Sequence, residues 1–487
     1  MSLKFIATAA IALTVSTICF TQSSASASDN SAPKIYEGLQ SNVRIAGKPS
    51  ELSTLKERMV HHKVPGVSIA FLQDNKILWT HTEGVTDFVS NKAIDKNTIF
   101  QAASISKPVF ATVLMKYRQQ HGLNLDAPVN DLLTSWKLPT HQWAASSPVT
   151  LRRLLSHSAG TTVHGFGGYA TGEKVPSILA VLNGTKPSNS AAVIVDIEPD
   201  TQFRYSGGGT TLAQLVLQDI SGVSLPEMAQ SSVFGPLGMA RSRYSQPLGS
   251  DLGSNAAAPF NSNGEPIEGG AHTYATLAAA GLWTTPSDLM VFASKIQQSA
   301  RGTDNRFLDQ TTATEMLTPQ MKPVGIGFFL GGGDAVTTFG HGGANAGFRA
   351  DLFAHINTGD GIAIMTNSDN GGALIEEIKN RAAEIYGWPE IYPNIKTIAP
   401  FSEGLQSSFV GTYEIKKPIL AMLNIRIDGE NLVVNLPEYI EDVPFHIESA
   451  EHIFSLNGID MDVVRDSDGA VEKLEFWGGE AVKISED

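Results

Sequence analysis

The feature that most limits how this chain can fold is a break in its patterning between Trp388 and Pro400, a stretch with three prolines (Pro389, Pro393 and Pro400) that reads as a linker. Before it, amphipathic helical segments alternate with apolar runs. After it come short alternating runs: Phe409 to Ile415, Leu423 to Ile427, Leu432 to Leu436, Ile453 to Leu456, Met461 to Val464 and Val471 to Phe476. Turn pairs such as Asp428-Gly429, Asn457-Gly458, Asp468-Gly469 and Gly478-Gly479 separate them. The expectation is a large unit over 28–388, a linker over 389–402 and a small all-β barrel or meander over 403–487. With 487 residues and 42% hydrophobic content, there is enough chain for both cores.

Residues 1–27 read as a cleavable secretory leader: a basic start at Lys4, an apolar stretch from Phe5 to Phe20, and Ala25-Ser26-Ala27 as the cleavage site. This predicts a secreted or periplasmic protein without a membrane anchor after cleavage. The single cysteine, Cys19, lies inside that leader, so the mature chain is expected to have no disulfide, thiol nucleophile or cysteine metal ligand. No metal is expected, because none of the 12 histidines falls into a ligand spacing and the adjacent His61 and His62 point apart. A net charge of −14 with no Lys/Arg stripe argues against nucleic acid and anionic membranes as partners.

Three stretches carry candidate chemistry. In Phe100-Gln101-Ala102-Ala103-Ser104-Ile105-Ser106-Lys107, a serine and a lysine three apart on a helix share one face, so the amine can reach the hydroxyl. Such a lysine acts as a base only if burial lowers its pKa. A second spacing of this kind, Ser53 to Lys56, lies on a charged amphipathic helix and reads as solvated surface. In Phe203-Arg204-Tyr205-Ser206-Gly207-Gly208-Gly209, a tyrosine on a glycine turn before a helix holds either a phenol in a cleft or a packed aromatic. Those glycines are not a phosphate loop, since no Gly-Lys-Ser/Thr follows, and no cofactor is expected. In Phe339-Gly340-His341-Gly342-Gly343-Ala344, glycines beside a histidine at a strand start allow close approach of a substrate backbone. His157, at the end of the helix after Thr150, reads as a structural cap.

Taken in order, Ser104-x-x-Lys107, Tyr205-Ser206-Gly207 and His341-Gly342-Gly343 resemble the three motifs of the penicillin-recognising serine hydrolases, in the class C β-lactamase branch. Leu123-Asn124-Leu125-Asp126, Thr150 through His157, Pro236-Leu237-Gly238-Met239 and Thr284 through Leu289 resemble further landmarks of that family, over about residues 50–385. The resemblance implies an α/β (α+β) sandwich of the β-lactamase/transpeptidase type with a helical lobe, the site lying in the cleft between them. It further implies Ser104 as nucleophile, with base and acid duties shared by Lys107 and Tyr205 and not assigned between them. Backbone N–H groups of Ser104 and Ala344 would form the oxyanion hole, and Gly207, Gly342 and Gly343 would line the substrate site. His341 stands where many β-lactamases have lysine, and would shape the electrostatics around Tyr205 or the substrate's tail. One departure matters: the second motif usually ends in asparagine, and Gly207 offers only backbone, which argues against efficient β-lactam hydrolysis and moves ester or unusual amide substrates up.

The C-terminal module, with Gly411-Thr412-Tyr413 near its start, resembles the lipocalin-like domain often appended to this family. Asp466-Ser467-Asp468-Gly469 within it reads as a hairpin turn rather than a calcium loop. The module is expected to shape the cleft or support a homo-oligomer. The leading functional expectation is a serine hydrolase forming an acyl-enzyme on small-molecule or peptide substrates, esters or D-amino-acid amides. The alternatives are a DD-carboxypeptidase or weak β-lactamase, and a penicillin-binding receptor with little turnover.

Overall fold

The computed structural model describes residues 31–333, 335–416, 421–437, 440–476 and 479–484. The leader and Cys19 lie outside the described residues. In chain order, β1 (Gly66–Gln73) and β2 (Lys76–Gly84) form a hairpin, and β3 (Phe100–Ala103) feeds α1 (Ser106–His121). Then come α2 (Gly207–Ser221), β4 (Leu282–Thr284) and α3 (Pro286–Ala300). β5 (Phe329–Gly331), β6 (Thr338–Asn345), β7 (Phe348–His355), β8 (Gly361–Thr366) and α4 (Gly371–Tyr386) complete the unit.

Six of these strands form one antiparallel sheet in the order β2-β1-β8-β7-β6-β5, while β3 pairs with β4. Because side chains alternate along a strand, β1 feeds two cores at once. Val67, Ile69 and Phe71 join Ile362, Ile364 and the α4 residues Leu374, Ile375 and Ile378 on one face. Ala70 and Leu72 join Met365 and the α1 residues Val109, Phe110 and Val113 on the other. Burial on both faces is why β1 and β8 read as unbroken apolar runs rather than alternating ones. α1 is buried all round from Ser106 to Met115 and ends at Gly122, whose left-handed φ of 67° supplies the helix cap.

The C-terminal region is a closed antiparallel barrel of eight strands: β9 (Gly411–Ile415), β10 (Ala421–Asp428), β11 (Asn431–Leu436), β12 (Ile440–Ser449), β13 (His452–Ser455), β14 (Asp460–Arg465), β15 (Val471–Phe476) and β16 (Gly479–Lys483). Two of them escape the sequence pattern: β12 carries Pro444 in its middle, and β16 is short and opens on glycine. Phe409, Tyr413, Phe445, Ile453 and Leu474 fill the interior, and the Tyr413 hydroxyl donates to the Phe409 carbonyl at 2.7 Å. The Asp466 turn is a hairpin turn, its Oδ1 accepting the Asp468 and Ala470 N–H groups, each at 2.9 Å.

The proline-rich linker is pinned rather than free. Asn394–Lys396 pairs in parallel with Val43–Ile45, a contact between distant segments that leaves no local signature. Lys396 continues to Asp460 at 3.0 Å and Glu448 at 3.3 Å on the barrel, and Ser41 donates to the Leu456 carbonyl at 2.9 Å. Among the described residues, no helix is long and apolar enough to cross a membrane.

Candidate active site

Ser104 lies in the tight turn between β3 and α1, two residues ahead of the helix rather than on it. The preceding Ala103 is held at φ 49°, a left-handed conformation that an alanine adopts only at an energetic cost. The turn is fastened by Ser106, whose Oγ donates to the Ala103 carbonyl at 2.5 Å and accepts the Leu282 N–H at 2.9 Å. This holds the Ser104 hydroxyl at the positive end of a 16-residue helix.

Lys107, on the first turn of α1 and 4% exposed, places its Nζ 3.0 Å from Ser104 Oγ and 2.9 Å from the Ala279 carbonyl. Burial lowers its pKa from the ordinary 10.5 to about 7. A neutral amine in this position donates one N–H to Ala279 and turns its lone pair to the Ser104 hydroxyl. The solvated reading of the other Ser-x-x-Lys spacing holds: Thr54 and Glu57 form a capping box there, and Lys56 is exposed.

Tyr205 reaches the same hydroxyl. Its ring centroid is 4.8 Å from Lys107 Nζ, and its phenol hydrogen-bonds the Ser104 side chain. Burial raises its pKa to about 12, with the Ser104 hydrogen bond opposing the rise. The sequence reading left base and acid duties unassigned between Lys107 and Tyr205. The buried environment keeps the phenol protonated. His157 seats this turn, as a structural residue: its backbone is at φ 57°, its carbonyl accepts the Arg204 N–H at 2.8 Å, and its Nδ1 accepts the Ser206 N–H at 3.2 Å. Its ring packs 4.5 Å from that of Tyr205. Ser206 then caps α2, so the three glycines form the first helical turn rather than a loop before it.

His341 is 6% exposed, with its ring 6.1 Å from that of Tyr205. Burial first, and Lys107 second, bring its pKa down to about 3, so it is a neutral group and brings no positive charge to Tyr205 or to a substrate carboxylate. Gly343 permits the close approach of β6 to β3: a Cβ there would lie 2.2 Å from the Ala102 carbonyl oxygen.

Ser104, Tyr205, His341, Gly342, Gly343 and Ala344 line one cleft of about 730 Å³. Gly207 does not line it, contrary to expectation. It is buried, and a side chain there would meet the Phe166 ring at 3.0 Å and the His164 carbonyl at 3.1 Å. The segment 164–166 has taken the place of a second-motif side chain. His164, Phe166, Phe203 and Phe329 give the cleft an aromatic wall that sequence reading missed, apart from the aromatic-glycine run His164 to Gly168 as a faint signal.

A second missed feature is the short segment Ala278–Ala280, which ties the three motifs together. Gln214 on α2 accepts the Ala278 N–H at 2.9 Å, the Ala279 carbonyl accepts from Lys107, and the Ala280 carbonyl accepts from Asn345 at the end of β6 at 3.1 Å. Asn345 also donates to Gln101 of β3 at 2.6 Å.

Comparison with known proteins agrees with this architecture. The family profile described as Beta-lactamase matches residues 53–385. Penicillin-binding protein 4 of Amycolatopsis lactamdurans is 28% identical over 181 residues, covering 37% of this chain and 45% of that protein. The chain spans less than half the length of the curated relatives it matches first. The octameric penicillin-binding protein homologue from Pyrococcus abyssi superposes with a TM-score of 0.60 at 20% identity, over 88% of this chain and 98% of that one. D-amino acid amidase from Ochrobactrum anthropi SV3 superposes at 0.53 and 22% identity, over 67% and 97%. At such identities these two likenesses are of fold. With the profile spanning most of its length and the motif side chains converging on one hydroxyl, the chain belongs to the beta-lactamase family of serine hydrolases.

Proposed function

We propose that this protein hydrolyses esters through a covalent acyl-enzyme on Ser104. The observation that carries this reading is the buried Lys107 amine, 3.0 Å from Ser104 Oγ with a pKa near 7. Neutral Lys107 takes the Ser104 proton as Oγ attacks the ester carbonyl, and the backbone N–H groups of Ser104 and Ala344 receive the oxyanion. The protonated Tyr205 gives its proton to the departing alkoxide, and the Lys107 ammonium replenishes it. Water then enters, losing a proton to the same pair, and releases the acid and free Ser104.

Esters are favoured over amides because Phe166 covers the Gly207 position, leaving the second motif no side-chain amide to hold a peptide bond. The aromatic wall suits an apolar acyl or alcohol group. A D-amino-acid amide is the second reading, supported by the amidase of like fold. The leader sequence supports export, and the octameric homologue supports self-association.

The test is hydrolysis of a p-nitrophenyl acyl ester. Wild type is expected to turn it over and Ser104→Ala to lose all enzymatic turnover. Activity kept in Ser104→Ala overturns the mechanism, and rapid β-lactam hydrolysis by wild type overturns the preference for esters.

A further inference from the structure

The His341 ring has a fixed proton and a free lone pair. Its Nδ1 lies 2.6 Å from the Gly342 carbonyl oxygen, which can only accept, so Nδ1 carries the hydrogen. A neutral imidazole then has Nε2 as an acceptor. That atom is buried and has no hydrogen-bond partner among the described residues. The ring borders the cleft beside Phe329, 5.0 Å away, and Tyr205, whose phenol is engaged with Ser104.

The polar groups farther along the cleft point the same way. Gly342 leaves the strand bare, and past it the lining includes Asp351, Glu376 and Arg349. Lys379, at 3.4 Å and 2.9 Å, is shared between the two carboxylates, while Arg349 gives its Nη1 to the Asn345 and Phe348 carbonyls and to Asp369. At His341 itself a substrate carboxylate meets a neutral ring with a lone pair and no positive charge, whereas an N–H or O–H donor finds an acceptor.

We infer that His341 is a specificity-determining residue whose Nε2 accepts a hydrogen bond from a hydroxyl or amine beside the scissile carbonyl, so that this cleft selects donor-bearing substrates and rejects carboxylate tails. The inference rests on Ser104 being the nucleophile.

It is tested with four p-nitrophenyl esters: a plain acetyl ester, a 2-hydroxyacyl ester, its 2-methoxy analogue and an acyl ester ending in carboxylate. Rates are corrected with Ser104→Ala. Wild type is expected to favour the hydroxy over the methoxy ester about tenfold in kcat/KM, the worth of one buried hydrogen bond, and to disfavour the carboxylate. His341→Leu brings the hydroxy-to-methoxy ratio to about one, while His341→Gln, whose amide oxygen can accept, keeps part of it. His341→Lys shifts preference to the carboxylate. Ratios are read within each variant, so a general loss of rate does not obscure them, and the Gln and Lys variants carry the test if Leu does not fold. A wild-type ratio near one with Ser104-dependent acetyl ester turnover overturns this inference alone. A uniform fall in kcat across all esters in His341→Leu, with the ratio intact, also overturns it and makes His341 a support for Tyr205. Absence of any Ser104-dependent turnover overturns both readings.

Discussion

Lys107 is charged below its folded pKa of about 7 and neutral above it, and only the neutral amine can take the Ser104 proton. The kcat/KM for an ester, which reports the free enzyme, therefore rises about tenfold per pH unit on the acid side, bends near pH 7 and stays level until Tyr205, at about 12, loses its proton. A stopped pH series measures this; a profile flat from pH 5 to 9 contradicts it. Lys107→Met is expected to lower kcat at least about a hundredfold, in the usual range for general-base catalysis. The serine and lysine were legible in sequence because they meet within one turn, which needs no long-range information. Tyr205 and His341 could be named only through family resemblance, because tertiary packing alone brings them to Ser104. Their charge states were not legible at all, since neutral His341 and protonated Tyr205 follow from burial.

Strands and helices hold these groups through a few close contacts. Gly343→Ala would set a methyl 2.2 Å from the Ala102 carbonyl and push β6 away from β3. Because a displacement of about 1 Å costs about a hundredfold, kcat should fall by that order while the fold survives, as steady-state kinetics and circular dichroism can check. Gln214→Ala leaves the buried Ala278 N–H without its acceptor, at about 1–3 kcal/mol, and should lower the melting temperature and kcat together. Gly207→Asn should not bring amide hydrolysis, because the Phe166 ring and the His164 carbonyl crowd the space, and Phe166→Ala relieves only the first of these contacts. The main hairpin, α1 with its glycine cap and six of the eight barrel strands could be read from alternation, caps and turn pairs. The Ala278–Ala280 tie and the pairing of Asn394–Lys396 with Val43–Ile45 could not, because both join distant segments through backbone groups that any residue supplies.

At the scale of the whole molecule, the barrel stands apart from the chemistry. Among the described residues no barrel residue lines the Ser104 cleft, which argues against the cleft-shaping role expected of it, and the barrel's contacts include Ser41, Lys396 and, through Asn457, His61. A chain ending at Thr397 should keep the full-length kcat/KM for a small ester while melting at a lower temperature; a large rise in KM would show that the barrel reaches the cleft. The central claim is that Ser104 itself becomes acylated. Intact-mass spectrometry of enzyme quenched during turnover of a p-nitrophenyl ester should show the mass of one acyl group, mapped to the peptide bearing Ser104 and missing in Ser104→Ala. Turnover with no adduct on that peptide under any quench, or with the adduct on another residue, would contradict it.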